Sequence, residues 1–206
     1  MKFSPVRHLA AMGLLLALSG CAALTGGGNP PVRATLYDLG APLRLADGAA
    51  PTLPPLALGD VDASAALDTQ AVQYRLAYAD AQQPRPYAQA RWSMPPSQLL
   101  RQRLREALSQ HRALLNPGEA GVQRTLRIEL DDFSQRFDDA TRSSGVVRLR
   151  ATLVDTSGRT EKLLAQRNFA LEHPATSADA PGGVRALAKA TDATIAAIEQ
   201  WLRAQP

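Results

Sequence analysis

The alternation of apolar and polar positions divides the chain into segments with different periods. From Leu9 to Leu18 the residues are almost all apolar. That run is shorter than the roughly 20 residues a bilayer span needs, and it has the length of a signal-peptide core. Residues 22–34 hold Gly26-Gly27-Gly28 and Pro30-Pro31 and read as a tether. Glycine loosens such a segment and proline extends it. Beyond residue 34, period-two alternation predicts strands at Leu36–Leu39, Leu56–Val61 and Val72–Tyr78. In the last of these Val72, Tyr74, Leu76 and Tyr78 share one face. Residues 80–91 are polar, contain Pro84 and Pro86, and predict a loop or a sheet edge.

Pro95-Pro96 opens a helix, because proline is tolerated in a first helical turn. Leu100, Leu104 and Leu108 continue it, and Asn116-Pro117-Gly118 predicts its stop after about Leu115. Two alternating strands follow, through Leu126–Asp131 and Val147–Leu153. The turn Asp155–Arg159 leads to a third, from Lys162 to about Leu171. Val184, Leu187, Thr191, Ile195, Ile198 and Leu202 space a closing amphipathic helix. The order βββ-α-βββ-α predicts an α+β fold, a mixed or antiparallel β-sheet with two amphipathic helices packed on it.

Composition narrows the function. Of 206 residues, 45% are apolar and 20% charged, a globular balance. The formal charge is +4, and loss of Lys2 and Arg7 with a signal peptide leaves +2. So small a charge, without a clustered basic face, argues against nucleic acid as a partner.

The residues closing the apolar run carry the firmest chemistry. Leu18-Ser19-Gly20-Cys21 has the form of a lipobox: an aliphatic residue, two small ones, then the cysteine. Small residues fit a narrow peptidase cleft, and the thiol becomes the thioether that carries lipid. Cys21 is the only cysteine, so acylation explains it better than disulfide or metal chemistry. An ordinary secretory signal that happens to contain a cysteine is the competing account. Residues 1–20 are thus read as a signal peptide, 21–34 as the lipidated Cys21 with its tether, and 35–206 as a periplasmic domain. Palmitate and other acyl chains on one residue give durable membrane attachment. Ala22, rather than aspartate, next to the cysteine favours the outer membrane. Stretched out, the tether reaches roughly 40 Å at about 3.3 Å per residue.

No catalytic constellation emerges. Gly26-Gly27-Gly28 lacks the preceding strand and following Gly-Lys-Ser/Thr of a phosphate loop. His111, near a helix end, reads as a capping or solvent residue, and His173 precedes Pro174 at a strand end. Neither has a second ligand at metal spacing, so no metal or cofactor is expected. Asp131-Asp132 and Asp138-Asp139 are adjacent on strands, where neighbours point to opposite faces. Glu129 and Asp131 face Arg148 and Arg150 on the next strand as an ion ladder on the wet face. Trp92 reads either as a core anchor or as part of a partner or lipid surface. Tyr74 and Tyr78 carry the same ambiguity, and Trp201 reads as a packing residue.

The order lipobox, tether, "YDLG", "LPPLALGDV", "RWSMPPSQLLRQRLREAL", "LRIELDDF" and closing helix resembles the ABC-type transport auxiliary lipoproteins, among them the paraquat-inducible C-type lipoproteins. Arg91-Trp92 followed by proline and a leucine-rich helix resembles the family's "RWAEPL" segment, although Ser93-Met94-Pro95-Pro96 departs from it. The resemblance implies a non-enzymatic periplasmic partner of an ABC transporter whose MCE-domain protein bridges the envelope and moves lipid. A lipoprotein that regulates cell-wall synthesis or envelope assembly is the main alternative, and a lipid carrier with an internal cavity a weaker one. Whether the chain forms a homo-oligomer stays open at this point.

Overall fold

The computed structural model describes residues 33–45 and 53–205. The signal peptide, Cys21 and nearly all of the tether therefore lie outside the described residues. The strands are β1 (Thr35–Tyr37), β2 (Leu53–Ala63), β3 (Ala71–Leu76), β4 (Asp80–Trp92), β5 (Arg112–Leu115), β6 (Arg124–Phe137), β7 (Ser143–Asp155) and β8 (Lys162–Pro174). Helix α1 (Pro96–Leu108) follows β4, and α2 (Ala180–Arg203) closes the chain. Among the described residues the fold is α+β, one mixed sheet with two helices. The observed order of the described elements is ββββ-α-ββββ-α.

Strand β6 organises the sheet. One of its edges pairs antiparallel with β7 along its whole length, and β7 pairs antiparallel with β8. The other edge is shared. Its first half pairs parallel with β2 and its last residues pair parallel with β3. Beyond β2 lies β5, also parallel, and beyond β3 lie β4 and then β1.

A bulge in β6 makes this sharing consistent with one core. Leu130 pairs with Leu149 and Asp132 with Arg148, leaving Asp131 as the extra residue. Before the bulge Leu126, Ile128 and Leu130 are buried; after it Phe133, Gln135 and Phe137 are. One inserted residue thus reverses which parity faces inward.

The helices cover one face. Leu187, Ala190, Ile195 and Ile198 of α2 are fully buried, as are Leu100, Leu104, Ala107 and Leu108 of α1. Gly145 on β7 lets α2 approach closely, since a Cβ there would lie 2.4 Å from the backbone nitrogen of Leu187. Asp179 caps α2, its Oδ1 accepting from the Gly182 N–H at 2.8 Å. The helices are tied by Arg103, buried, whose Nε and Nη2 donate to the two carboxylate oxygens of Asp192 at 2.9 and 3.1 Å.

Two predicted elements differ, and a third settles between its two readings. The first helix ends at Leu108 rather than Leu115, because Ser109 and Gln110 close it and the chain then pairs with β2 as β5. Leu108 and Leu115 keep helical spacing, which hides the change. Residues 80–92 form a full strand with an edge, so of the two readings the sheet edge holds and the loop does not. Pro84 and Pro86 are accommodated because β1 pairs only with Ala90–Trp92, leaving that stretch of β4 as a free edge. Finally, β3 stops at Leu76, so Tyr78 sits in the β3–β4 turn and not on a strand face with Tyr74.

Candidate functional site

The sheet face away from the helices is open and polar. Glu129 and Arg150 pair in register, with Arg150 Nη1 donating to Glu129 Oε2 at 3.2 Å. Gln166 on β8 donates to the Thr152 hydroxyl at 2.8 Å. Arg136 holds Glu172 bidentately, and that ion pair raises its pKa further. Of the predicted ladder the Glu129–Arg150 rung is present, whereas Asp131, the extra residue of the bulge, and Arg148 form no ion pair among the described residues; Gln166 and Glu172 carry the polar contacts on to β8. Exposed pairs of this kind contribute little to stability, about 0–1 kcal/mol each.

Near the β3–β4 turn this face dips into a groove of about 410 Å³. Arg75, Asp131, Asp132, Ser134, Arg136 and Arg148 line it. The bulge brings Asp131 and Asp132 to the same groove, contrary to the expectation that strand neighbours diverge. Asp132 Oδ1 accepts from the buried Ser134 hydroxyl at 2.7 Å. Tyr78, 52% exposed, stands in the adjoining turn. The groove offers charges of both signs, which suits polar contact with another macromolecule.

Asp138-Asp139 serves the β6–β7 turn. Asp139 Oδ1 accepts from the N–H groups of Thr141 and Arg142, each at 2.8 Å. The Arg142 side chain, with these bonds, holds the Asp139 carboxyl far below the usual range.

The aromatic candidates separate. Trp92 is fully buried, stacked edge-on to Phe133 with ring centroids 5.5 Å apart. Of its two readings the core anchor holds, and Trp92 is no part of a partner or lipid surface. Tyr74 is half-buried between Tyr87 at 4.5 Å and Phe137 at 5.8 Å. Tyr87 donates to Gln135 Oε1 at 2.8 Å, and Gln135 Nε2 donates to the Ser143 hydroxyl at 2.7 Å. Burial, then Tyr74 and Asp179, push the Tyr87 hydroxyl well above its ordinary pKa. Only Tyr78 of the three predicted surface residues presents a large exposed ring. Trp201 packs against Phe169 at 6.0 Å, as a packing residue.

His111 neither caps nor faces solvent. Its side chain is buried, with Nδ1 3.7 Å from Glu199 Oε1 and no hydrogen-bond partner. Buried Glu199 also accepts from Arg112 at 2.8 Å and Arg203 at 2.9 Å. No periodicity announces this cluster, because its members come from β5 and α2. His173 lies at the end of β8, its Nδ1 3.0 Å from the Pro174 carbonyl. Among the described residues no group of three His, Cys, Asp or Glu side chains gathers as a metal site. No helix among them is long and apolar enough to cross a membrane.

Residues 37–199 match the family model for the ABC-type transport auxiliary lipoprotein component. The chain belongs to this family. Its fold is similar to a crystal structure of a Xanthomonas campestris protein, with TM-score 0.70, 18% identity, and 82% of this chain and 94% of that one covered. A second crystal structure, of an uncharacterised protein, gives TM-score 0.65 at 20% identity over 82% of this chain and 99% of the other. At such identities the likeness speaks for the fold. No curated protein matches the sequence. Family membership makes the chain a lipoprotein associated with ABC-type transport.

Proposed function

We propose that this lipoprotein is anchored by Cys21 to the periplasmic side of the outer membrane and serves as auxiliary subunit of an MCE-type ABC system moving lipid between the two membranes. The observation that carries the reading is the family match across residues 37–199, joined to a lipobox ending at Cys21. In this reading the protein docks and does not catalyse. The polar groove beside Tyr78 is the docking surface, and the tether lets the domain meet an MCE-domain partner some tens of ångströms from its anchor.

A photo-crosslinking residue in place of Tyr78, in cells, tests the docking. Capture of the MCE-domain protein is the expected result. Capture of a cell-wall synthase instead would overturn it. Replacing Cys21 with Ala should leave a folded domain that no longer fractionates with membranes. Deleting residues 23–34 should impair transport while the melting temperature of the domain holds.

A further inference from the structure

At the far end of α2 the start of β2, β5, the first residue of β6 and the end of β7 enclose a pocket of about 270 Å³. Its accessible apolar wall is Leu53, Pro54 and Pro55, backed by the buried Leu56, Leu153 and Leu202. Its polar lining is Arg112, Arg124 and Arg203, with Gln205 at the margin and no acidic residue. Glu199 lies behind, holding Arg112 and Arg203. Asp155 lies opposite Arg124 in the strand register. One buried carboxylate thus serves two guanidiniums and faces His111 as well.

The cluster is short of acceptors. The Arg112 side chain is only 6% exposed, and its Nε has no partner. Among the described residues three buried side-chain polar atoms lack one, and two of them, His111 Nδ1 and Arg112 Nε, belong to this cluster. Buried donors are almost always satisfied, and Arg112 lines the pocket, so its unpaired Nε points to an acceptor from outside the chain. The helix end itself does not attract anions. Gln205 covers one of its carbonyls, that of Trp201, at 2.8 Å. The attraction comes from the guanidiniums.

We propose that this pocket binds the phosphate-bearing head group of an anionic amphiphile. Guanidinium forks suit phosphate, and arginines from two strands and a helix suit a tetrahedral anion better than a planar carboxylate. The apolar wall of Leu53, Pro54 and Pro55 favours an amphiphile over free phosphate. The volume admits a head group and the first methylenes and leaves the acyl chains outside. The proposal deepens, and rests on, the reading of the protein as a lipid-transport component.

Calorimetry on the full acylated chain in non-ionic detergent tests it, with dihexanoylphosphatidate, glycerol 3-phosphate and inorganic phosphate as probes. Saturable one-to-one binding of dihexanoylphosphatidate is expected, with inorganic phosphate weaker by about ten-fold or more for want of apolar contact. Arg124→Gln should weaken binding by about ten-fold, the worth of one charge-assisted hydrogen bond, with little change in melting temperature. Arg112→Gln and Arg203→Gln both disturb the buried Glu199, so Arg124→Gln carries the test. No saturable binding, or binding unchanged in Arg124→Gln, overturns the site. Equal affinity for inorganic phosphate overturns the amphiphile assignment. Capture of an MCE-domain protein without phosphatidate binding would sink this site alone; binding with a cell-wall partner would sink the transport reading alone.

Discussion

The two ends of α2 meet the sheet in opposite ways. At the N-terminal end polar groups are matched. Asp179 caps the helix, and Tyr87, Gln135 and Ser143 hand hydrogen bonds to one another beneath it. Backbone comes within van der Waals reach of backbone over Gly145. At the C-terminal end Glu199 is oversubscribed, and two buried nitrogens lack partners. A matched end holds the fold. An unmatched end on an otherwise well-packed helix is where a ligand has something to add.

The largest way to break this contrast is at the matched end. Gly145→Val would push a side chain into the backbone at Leu187, where even a Cβ lies 2.4 Å from the nitrogen. The loss should exceed about 4 kcal/mol. Circular dichroism should find the variant unfolded, and a melting temperature near that of the parent would refute the close-packing account. Asp192→Ala comes next. It strands the buried Arg103 and should cost about 3 kcal/mol in denaturant unfolding.

Glu199→Ala tests the unmatched end. It leaves Arg112 and Arg203 without their carboxylate and should destabilise by a similar amount, about 3 kcal/mol. Freed of the competing carboxylate, Arg112 and Arg203 should hold dihexanoylphosphatidate more tightly, so at one ligand concentration the gain in stability should be larger for Glu199→Ala than for the parent. Asp192→Ala should gain only what the parent gains. Equal gains in the two variants would erase the distinction between the ends.

The smallest effect is at Tyr87. Tyr87→Phe removes one hydrogen bond to the buried Gln135 and should cost about 1 kcal/mol. The Tyr87 pKa is raised in the fold. The stability contributed by its neutral form is therefore whole below about pH 10, where an unfolded tyrosine titrates, and is lost as the pH climbs above that. Ultraviolet titration should find Tyr87 ionising last among the tyrosines, and the late step should vanish in Tyr87→Phe.

Strong periodicity made much of the fold legible. Alternation through Leu126–Leu130 and Val147–Leu153 marked β6 and β7, and leucine and isoleucine spacing marked α2. What stayed hidden came from tertiary context. Strand β4 tolerates Pro84 and Pro86 only because its neighbour β1 is short. Strand β5 borrows its pairing from β2, while its leucines keep helical spacing. Of the surface residues, Tyr74 and Tyr78 were equivocal together, and only the end of β3 at Leu76 separates them. Trp92 was equivocal until its burial against Phe133 was known. The Glu199 cluster was invisible, since Arg112 and Glu199 are 87 residues apart.

The extra residue at Asp131 works as a parity switch. Without it, the strand beyond would turn over: Phe133, Gln135 and Phe137 would face water, and Asp132, Ser134 and Arg136 would face the helices. A single-codon deletion there would leave composition almost untouched and swap inside for outside along half of β6. The sheet is in that sense two sheets with opposite phase, spliced in one strand, and their agreement on a common interior depends on one aspartate being counted.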